Sequence, residues 1–235
     1  MSERYAIYFT LAQNDPLYQL AAQWFGYDFY LGDKPAIQMD HHALLKPLFP
    51  YGDYNAKAAM YGFHATLKPP FRLKKGVSHK QLVKILKHFS KLHNPFTCSE
   101  MSLQQIGDFL ALVPNKNCKK LNQLAKDCVQ TFDVFRDELD SEEIQKRNPA
   151  RLTEDQRLML KLWGYPYVLD EFRFHMTLTD SLTQQQIDLC KPLLESYFHP
   201  YTSRSLKIDQ ISLCYQATEH SPFVVLETYS FKDKR

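Results

Sequence analysis

The sequence predicts an α+β fold with mixed or antiparallel sheets, and three observations lead there. Strand-like and helix-like segments recur in both halves without strict βαβ alternation, which argues against an all-parallel sheet. The chain has only 7 glycines, and none forms a GxGxxG or P-loop pattern, so nucleotide binding of the Rossmann or Walker type is not expected. The phrase Phe63-His64-Ala65-Thr66-Leu67 returns as Phe174-His175-Met176-Thr177-Leu178. For this composition a chance second copy is on the order of one in 300, so the repeat is treated as an organising feature.

Arg4 to Thr10 reads as the first strand, with Tyr, Ile and Phe alternating with Ala and Tyr. A helix follows, with Asn14 or Asp15 as N-cap and Pro16 in its first turn. Residues 33 to 60 carry Pro35, Pro47 and Pro50 among short helical pieces, with His41-His42 at a helix start. Tyr61 to Lys68 is a strand that Pro69-Pro70 should stop, because proline cannot continue a central ladder. Ser78 caps a basic amphipathic helix to about His93, and Phe109 to Val113 is a buried strand. A helix is expected from Asn117 to Leu139, with Leu121, Leu124, Cys128, Phe132 and Phe135 at helical spacing. The polar segment Asp140 to Arg151 reads as a surface connection. Thr153 with Gln156, and Thr183 with Gln186, are capping boxes for helices to about Leu162 and Phe198. The second phrase lies on a strand between Glu171 and Thr179, and two closing strands are expected at Leu206 to Tyr215 and Phe223 to Phe231.

The bulk properties bound the function. The chain has 235 residues, enough for one large domain or two small lobes around a real core. Hydrophobic content of 44% and charged content of 23% are ordinary for a globular protein. A net charge of +3 is too weak to argue for duplex DNA but suits a small anionic substrate. The five cysteines are an odd number without CxxC spacing, which argues against a zinc site or a disulfide framework and for a reducing compartment. No signal pattern or membrane-length apolar run is present, so the expected location is the cytoplasm, with no membrane partner.

The repeated phrase carries the chemistry. Residues i and i+2 of a strand face the same way. Phe174, Met176 and Leu178 then share one face, and Arg173, His175, Thr177 and Thr179 the other. In the first copy Tyr61, Phe63, Ala65 and Leu67 oppose Gly62, His64, Thr66 and Lys68. Each polar face therefore offers an imidazole, a hydroxyl and one cation, a set that suits a phosphate. One neutral His can deprotonate water while a protonated one serves the leaving oxygen, each transfer being worth about 10²–10⁴-fold. Neither copy offers ligands at metal spacing, so no metal or other cofactor is expected. Tyr165 and Tyr167, just upstream of the second phrase, are candidate substrate contacts.

The two motifs, His64-Ala-Thr66 and His175-Met-Thr177, resemble those of the 2H phosphoesterase superfamily. The longer strings YGFHATLKPPFRL (61 to 73), FLALVP (109 to 114) and WGYPYVLDEFRFHMTLT (163 to 179) are similar to its bacterial branch described as phosphonate-metabolism proteins. The resemblance spans nearly the whole chain. It implies a single bilobal domain with two pseudo-twofold-related lobes around a central cleft, with approximate halves 1–115 and 116–235. It implies a hydrolase acting on cyclic phosphodiesters or 2′,5′ linkages without a required metal, His64 and His175 catalytic and Thr66 and Thr177 binding phosphate. The branch suggests a sugar cyclic phosphate, such as a ribose 1,2-cyclic phosphate, as the small-molecule partner of a monomeric enzyme. Two other readings stand beside it. One is an RNA-end 2′,3′-cyclic phosphodiesterase or 2′,5′ RNA ligase using Lys74, Lys75, Lys80, Lys84 and Lys87 as a basic track. The other is a phosphate or nucleotide sensor without catalysis. The near-symmetry of the motifs leaves open which His is acid and which is base.

Overall fold

The computed structural model describes residues 3–33 and 54–232. Pro35, Pro47, Pro50 and the helix start expected at His41-His42 lie outside the described residues. The architecture is α+β, with two four-stranded antiparallel sheets. The first has the order β2-β1-β7-β8, from β1 (Arg4–Phe9), β2 (Ala65–Phe71), β7 (Gln210–Gln216) and β8 (Val224–Ser230). The second has the order β5-β4-β3-β6, from β3 (Phe96–Ile106), β4 (Phe109–Pro114), β5 (Met176–Thr177) and β6 (Ser205–Ile208). Each sheet takes strands from both the 1–115 and the 116–235 halves, so the two layers are assembled from interleaved segments. Strands β2 and β5 are edge strands, one of each sheet, and they lie against each other. The two copies of the repeated phrase therefore meet where the sheets abut.

One continuous apolar core runs through both sheets, from Ile7, Phe9 and Leu213 in the first to Leu110, Leu112 and Met176 in the second. Helices cover the outer faces, and their starts follow local chemistry. Asp15 caps α1 (Pro16–Phe25) by accepting from the Leu17 N–H, and Pro16 supplies the preset φ of a first helical residue. Ser78 and Gln81 form the capping box of α3 (His79–Leu92). The boxes expected at Thr153 and Thr183 open α6 (Glu154–Trp163) and α7 (Gln184–Thr202). Short α2 (Ala56–Ala59) is pinned by Asp180, whose carboxylate accepts from the Lys57 and Ala58 N–H groups at 3.0 and 2.7 Å.

Several expectations are corrected. Strand β2 passes through Pro69 and Pro70 to Phe71. Proline is tolerated because β2 is an edge strand, paired only with β1 within its sheet. The helix after Asn117 is α4 (Lys119–Phe132); it tightens into a 3-10 turn at Asp133–Phe135 rather than reaching Leu139. The polar connection contains α5 (Ser141–Lys146), opened by an Asp140–Glu143 capping box, and a 3-10 turn at Pro149–Arg151. Strand β3 was not legible in advance because its burial does not alternate. The second phrase has only two residues of regular strand, because a 3-10 turn at Leu169–Glu171 occupies the approach. Burial still alternates from Phe174 to Leu178. Thr179 breaks the pattern: it is buried, and its hydroxyl accepts from the Leu110 N–H at 2.9 Å.

Candidate active site

His64 and His175 sit one residue before their strands, and both are held by the same device. His64 Nδ1 lies 2.9 Å from the Gly62 carbonyl, and His175 Nδ1 lies 2.8 Å from the Arg173 carbonyl. A carbonyl can only accept, so each Nδ1 carries the proton and each neutral ring presents a bare Nε2. His64 Nε2 accepts from the Thr66 hydroxyl at 3.2 Å. Both rings are half-buried, as are Thr66 and Thr177. The four side chains expected to share the site leave their strands on the side away from the buried Phe63, Ala65, Phe174 and Met176.

Packing fixes the rings. Tyr8 stacks on His64 with centroids 3.8 Å apart and planes 22° apart, and Phe29 closes a further edge at 6.2 Å. Phe109 tilts against His175 at 5.7 Å. Burial lowers the pKa of His64 to about 4; the Gly62 carbonyl opposes that shift and the charge on His175 adds to it. That last contribution places the two imidazoles within electrostatic reach of each other. Burial also lowers His175, against the pull of the Arg173 carbonyl. In the free protein both rings are neutral at pH 7.

The linkage has a definite sign. The unfolded chain takes up a proton on His64 near its ordinary 6.5, and the native state only near about 4. Native stability should therefore rise with pH between about 4 and 6.5 and be lost on acidification through that window. Urea unfolding at pH 4.5 and 7 should show this loss, and His64→Asn should reduce it.

Gly62 is the backbone hinge of this arrangement. Its φ is +69°, and a Cβ there would come within 2.3 Å of the Phe29 ring. Gly62→Ala combines left-handed strain with overpacking and should cost about 2–4 kcal/mol, read as a lowered thermal midpoint. Turnover should fall too, since the displaced carbonyl is the one that orients His64.

Lys68 is the main correction to the expected site. The β1–β2 register slips between Thr66, opposite Tyr8, and Lys68, opposite Ile7. That bulge turns Lys68 from the His64 side to the core side. Its ammonium is fully buried and pairs with Asp133 at 2.5 Å, and Arg136 Nε donates to the same carboxylate at 2.8 Å. Burial lowers the Lys68 pKa while Asp133 holds it up. Arg173 contributes its carbonyl to His175, and its side chain is exposed. Tyr165 is half-buried, with its hydroxyl in the electrostatic neighbourhood of Tyr8 and Tyr61. Tyr167 packs edge-on against Tyr165 at 5.7 Å and is exposed.

The sequence reading missed Tyr8, Tyr61, Arg4 and Arg147. Arg147 lies over the Tyr165 ring at 4.7 Å. Arg4 lies over Phe223 at 5.7 Å, and Phe223 stacks on Tyr61 at 5.4 Å. Only the alternation of the first strand could have flagged Tyr8; Tyr61 stands three residues before His64, while Arg4 and Arg147 are distant in sequence from both motifs. Of the expected lysine track, Lys87 is engaged with Glu227 at 3.2 Å. Among the described residues no three His, Cys, Asp or Glu gather as metal ligands, and no helix is long and apolar enough to cross a membrane.

Known proteins match this fold and this sequence. The solved structure of E. coli LigT complexed with 3′-AMP covers 99% of this chain and 100% of its own, with a TM-score of 0.50 at 14% identity. The expected α+β 2H-phosphoesterase fold is thereby borne out. Two curated relatives are named ribose 1,5-bisphosphate phosphokinase PhnN. The one from Janthinobacterium sp. (strain Marseille) is 33% identical over 97% of this chain and 51% of its own length. The one from Laribacter hongkongensis (strain HLHK9) is 28% identical over 78% and 42%. The chain spans about half the length of these relatives. Residues 66–224 match the family described as "Protein of unknown function (DUF1045)", a span that includes the whole second motif and starts at Thr66 of the first. With the larger part of its length matched, the chain belongs to the DUF1045 family, built on the fold of the 2H phosphoesterases.

Proposed function

We propose that this chain is a metal-independent phosphoesterase that opens a cyclic phosphodiester on a small sugar phosphate or nucleotide. The observation that carries the reading is the repeated device at the two motifs. Each His is locked by the carbonyl two residues before it, so two bare Nε2 atoms come from abutting edge strands, with the Thr66 hydroxyl beside that of His64. A binding protein needs hydroxyls and cations but not two imidazoles fixed in one tautomer.

The reaction balances with these groups alone. His64, the more strongly depressed of the pair, is neutral and takes a proton from water at Nε2. The oxygen attacks phosphorus, and the bond from phosphorus to one sugar oxygen breaks. His175, raised toward protonation by the anionic substrate, gives its Nε2 proton to that oxygen. Thr66 and Thr177 donate to the non-bridging oxygens as charge builds on them. The product is a phosphomonoester with a free neighbouring hydroxyl.

The relatives are named for a ribose phosphate, which supports a sugar phosphate as substrate. Phosphorylation by a nucleoside triphosphate would need a phosphate cradle, and this sequence has no Gly-rich loop for one. That activity therefore is not assigned to these residues. The fold match to a structure holding 3′-AMP keeps nucleotides in the substrate panel. The test is a hydrolysis screen in EDTA with ribose 1,2-cyclic phosphate, nucleoside 2′,3′-cyclic phosphates and short RNAs with cyclic ends. Turnover of a small cyclic phosphate in EDTA is the expected result. Activity confined to RNA, falling steeply with salt, would favour an RNA-end enzyme; binding without turnover across the panel would overturn the catalytic reading.

A further inference from the structure

Beside His64 the cleft wall holds a second set of polar groups that the reaction above does not use. Tyr8, stacked on His64, is 1% exposed, yet among the described residues its hydroxyl has no hydrogen-bond partner. The Tyr61 and Tyr165 hydroxyls are likewise unengaged among the described residues, and both lie in the electrostatic neighbourhood of Tyr8. Arg147 covers the Tyr165 ring at 4.7 Å, and its guanidinium makes no ion pair or hydrogen bond among the described residues. Stacking on a ring occupies the face of a guanidinium and leaves its in-plane N–H groups free for an anion.

The position of Arg147 is set from both sides. Upstream, Arg72 binds Glu143 at 2.6 Å and Asp140 at 3.6 Å. The neighbouring Lys146 binds Glu219, in the β7–β8 turn, at 2.6 Å. Asn148 then turns the chain in the left-handed region, with φ 49° and ψ 61°. Arg147 is half-buried and is carried by a strap fastened at Arg72 and at Glu219. Other charges facing the wall are Arg4, whose Nε donates to Gln216 at 2.8 Å, and Glu219, already engaged with Lys146. Asp140 and Glu143 are engaged by Arg72 and Glu219 by Lys146, so none of these carboxylates neutralises the Arg147 guanidinium.

We propose that Arg147, with the Tyr8, Tyr61 and Tyr165 hydroxyls, forms a second anion subsite that binds a phosphoryl group on the part of the substrate remote from the reacting phosphate. This rests on the phosphoesterase reading for the His pair and deepens it. The substrate class becomes a small sugar carrying two phosphoryl groups, one at the histidines and one at Arg147.

The test is calorimetric binding, which needs no turnover and so stands apart from the hydrolysis screen. Native protein and R147Q are titrated with ribose 1,5-bisphosphate and with ribose 1-phosphate, which lacks the remote phosphoryl group. Native protein should bind the bisphosphate roughly 10- to 100-fold more tightly, the range of one or two charge-assisted hydrogen bonds. R147Q should reduce that ratio to within about threefold, with an unchanged thermal midpoint showing that the fold is intact. Y165F, which keeps the ring but removes the hydroxyl, should give an intermediate ratio. A native protein that does not discriminate, an R147Q variant that keeps the native ratio, or one that weakens both ligands equally would each overturn the proposal. Hydrolysis of cyclic phosphates without these binding results would leave the phosphoesterase reading standing and the subsite refuted.

Discussion

His64→Ala is expected to lower kcat on a cyclic phosphate by about 10²–10⁴-fold, and His175→Ala by a similar amount, because each removes one proton transfer. The two should not multiply fully. Residues that act as a unit on one transition state lose most of their joint effect with the first substitution. Both variants should remain folded, because neither ring belongs to the buried core. The pH profiles should separate the roles. In native protein the acidic limb of kcat/KM should follow His64, whose pKa is about 4, since the base must be unprotonated. His64→Ala should abolish that limb, whereas His175→Ala should remove the alkaline one. Near-native turnover by either purified variant would rule out the two-histidine mechanism.

Asp133→Ala is expected to be the most damaging substitution for stability. It leaves the Lys68 ammonium fully buried with its 2.5 Å partner gone. Breaking a buried pair from one side costs about 3–5 kcal/mol, and at this chain length that lowers the thermal midpoint by about 10 °C. Lys68→Met should be milder, because Asp133 is partly exposed and keeps Arg136. The pair of variants also checks the correction to the site. If Lys68 served substrate, Lys68→Met would raise KM and leave the midpoint unchanged; placed under α4, it should move the midpoint and leave KM nearly alone.

What the sequence revealed, and what it hid, follows from the range of each interaction. His64, Thr66, His175 and Thr177 were legible because period-two alternation is local, and it holds from Phe174 to Leu178 in the folded chain. Caps at Asp15, Ser78, Thr153 and Thr183 were legible for the same reason: donor and acceptor lie within three residues of each other. Lys68 was misplaced by a single β-bulge, because one extra residue turns every later side chain to the opposite face. Pro69-Pro70 looked like a stop because edge position is a property of the sheet and not of the segment. Strand β3 gave no alternation to find. Tyr8 meets His64 across more than 50 residues of chain, and Arg147 reaches Tyr165 from a fastened strap outside both motifs; nothing in their local sequence announces it.

In the proposed mechanism near-identical phrases serve unequal roles through one device. Each His uses the same backbone carbonyl geometry, so the tautomer is the same. Burial lowers both, and the packing differs: His64 lies beneath the Tyr8 ring and is pushed down to about 4, while His175 meets the tilted ring of Phe109. Different packing around two identical motifs is how one pair of imidazoles is tuned for the proposed acid and base roles.

The most direct test of the account is phosphorus NMR of ribose 1,2-cyclic phosphate incubated with the native protein in ¹⁸O-labelled water containing EDTA. The account predicts conversion to a ribose phosphomonoester carrying one labelled oxygen on phosphorus, with the P–O bond broken and the sugar hydroxyl unlabelled. Absence of conversion with all the cyclic phosphates of the panel, or conversion that EDTA abolishes and a divalent metal restores, would contradict it.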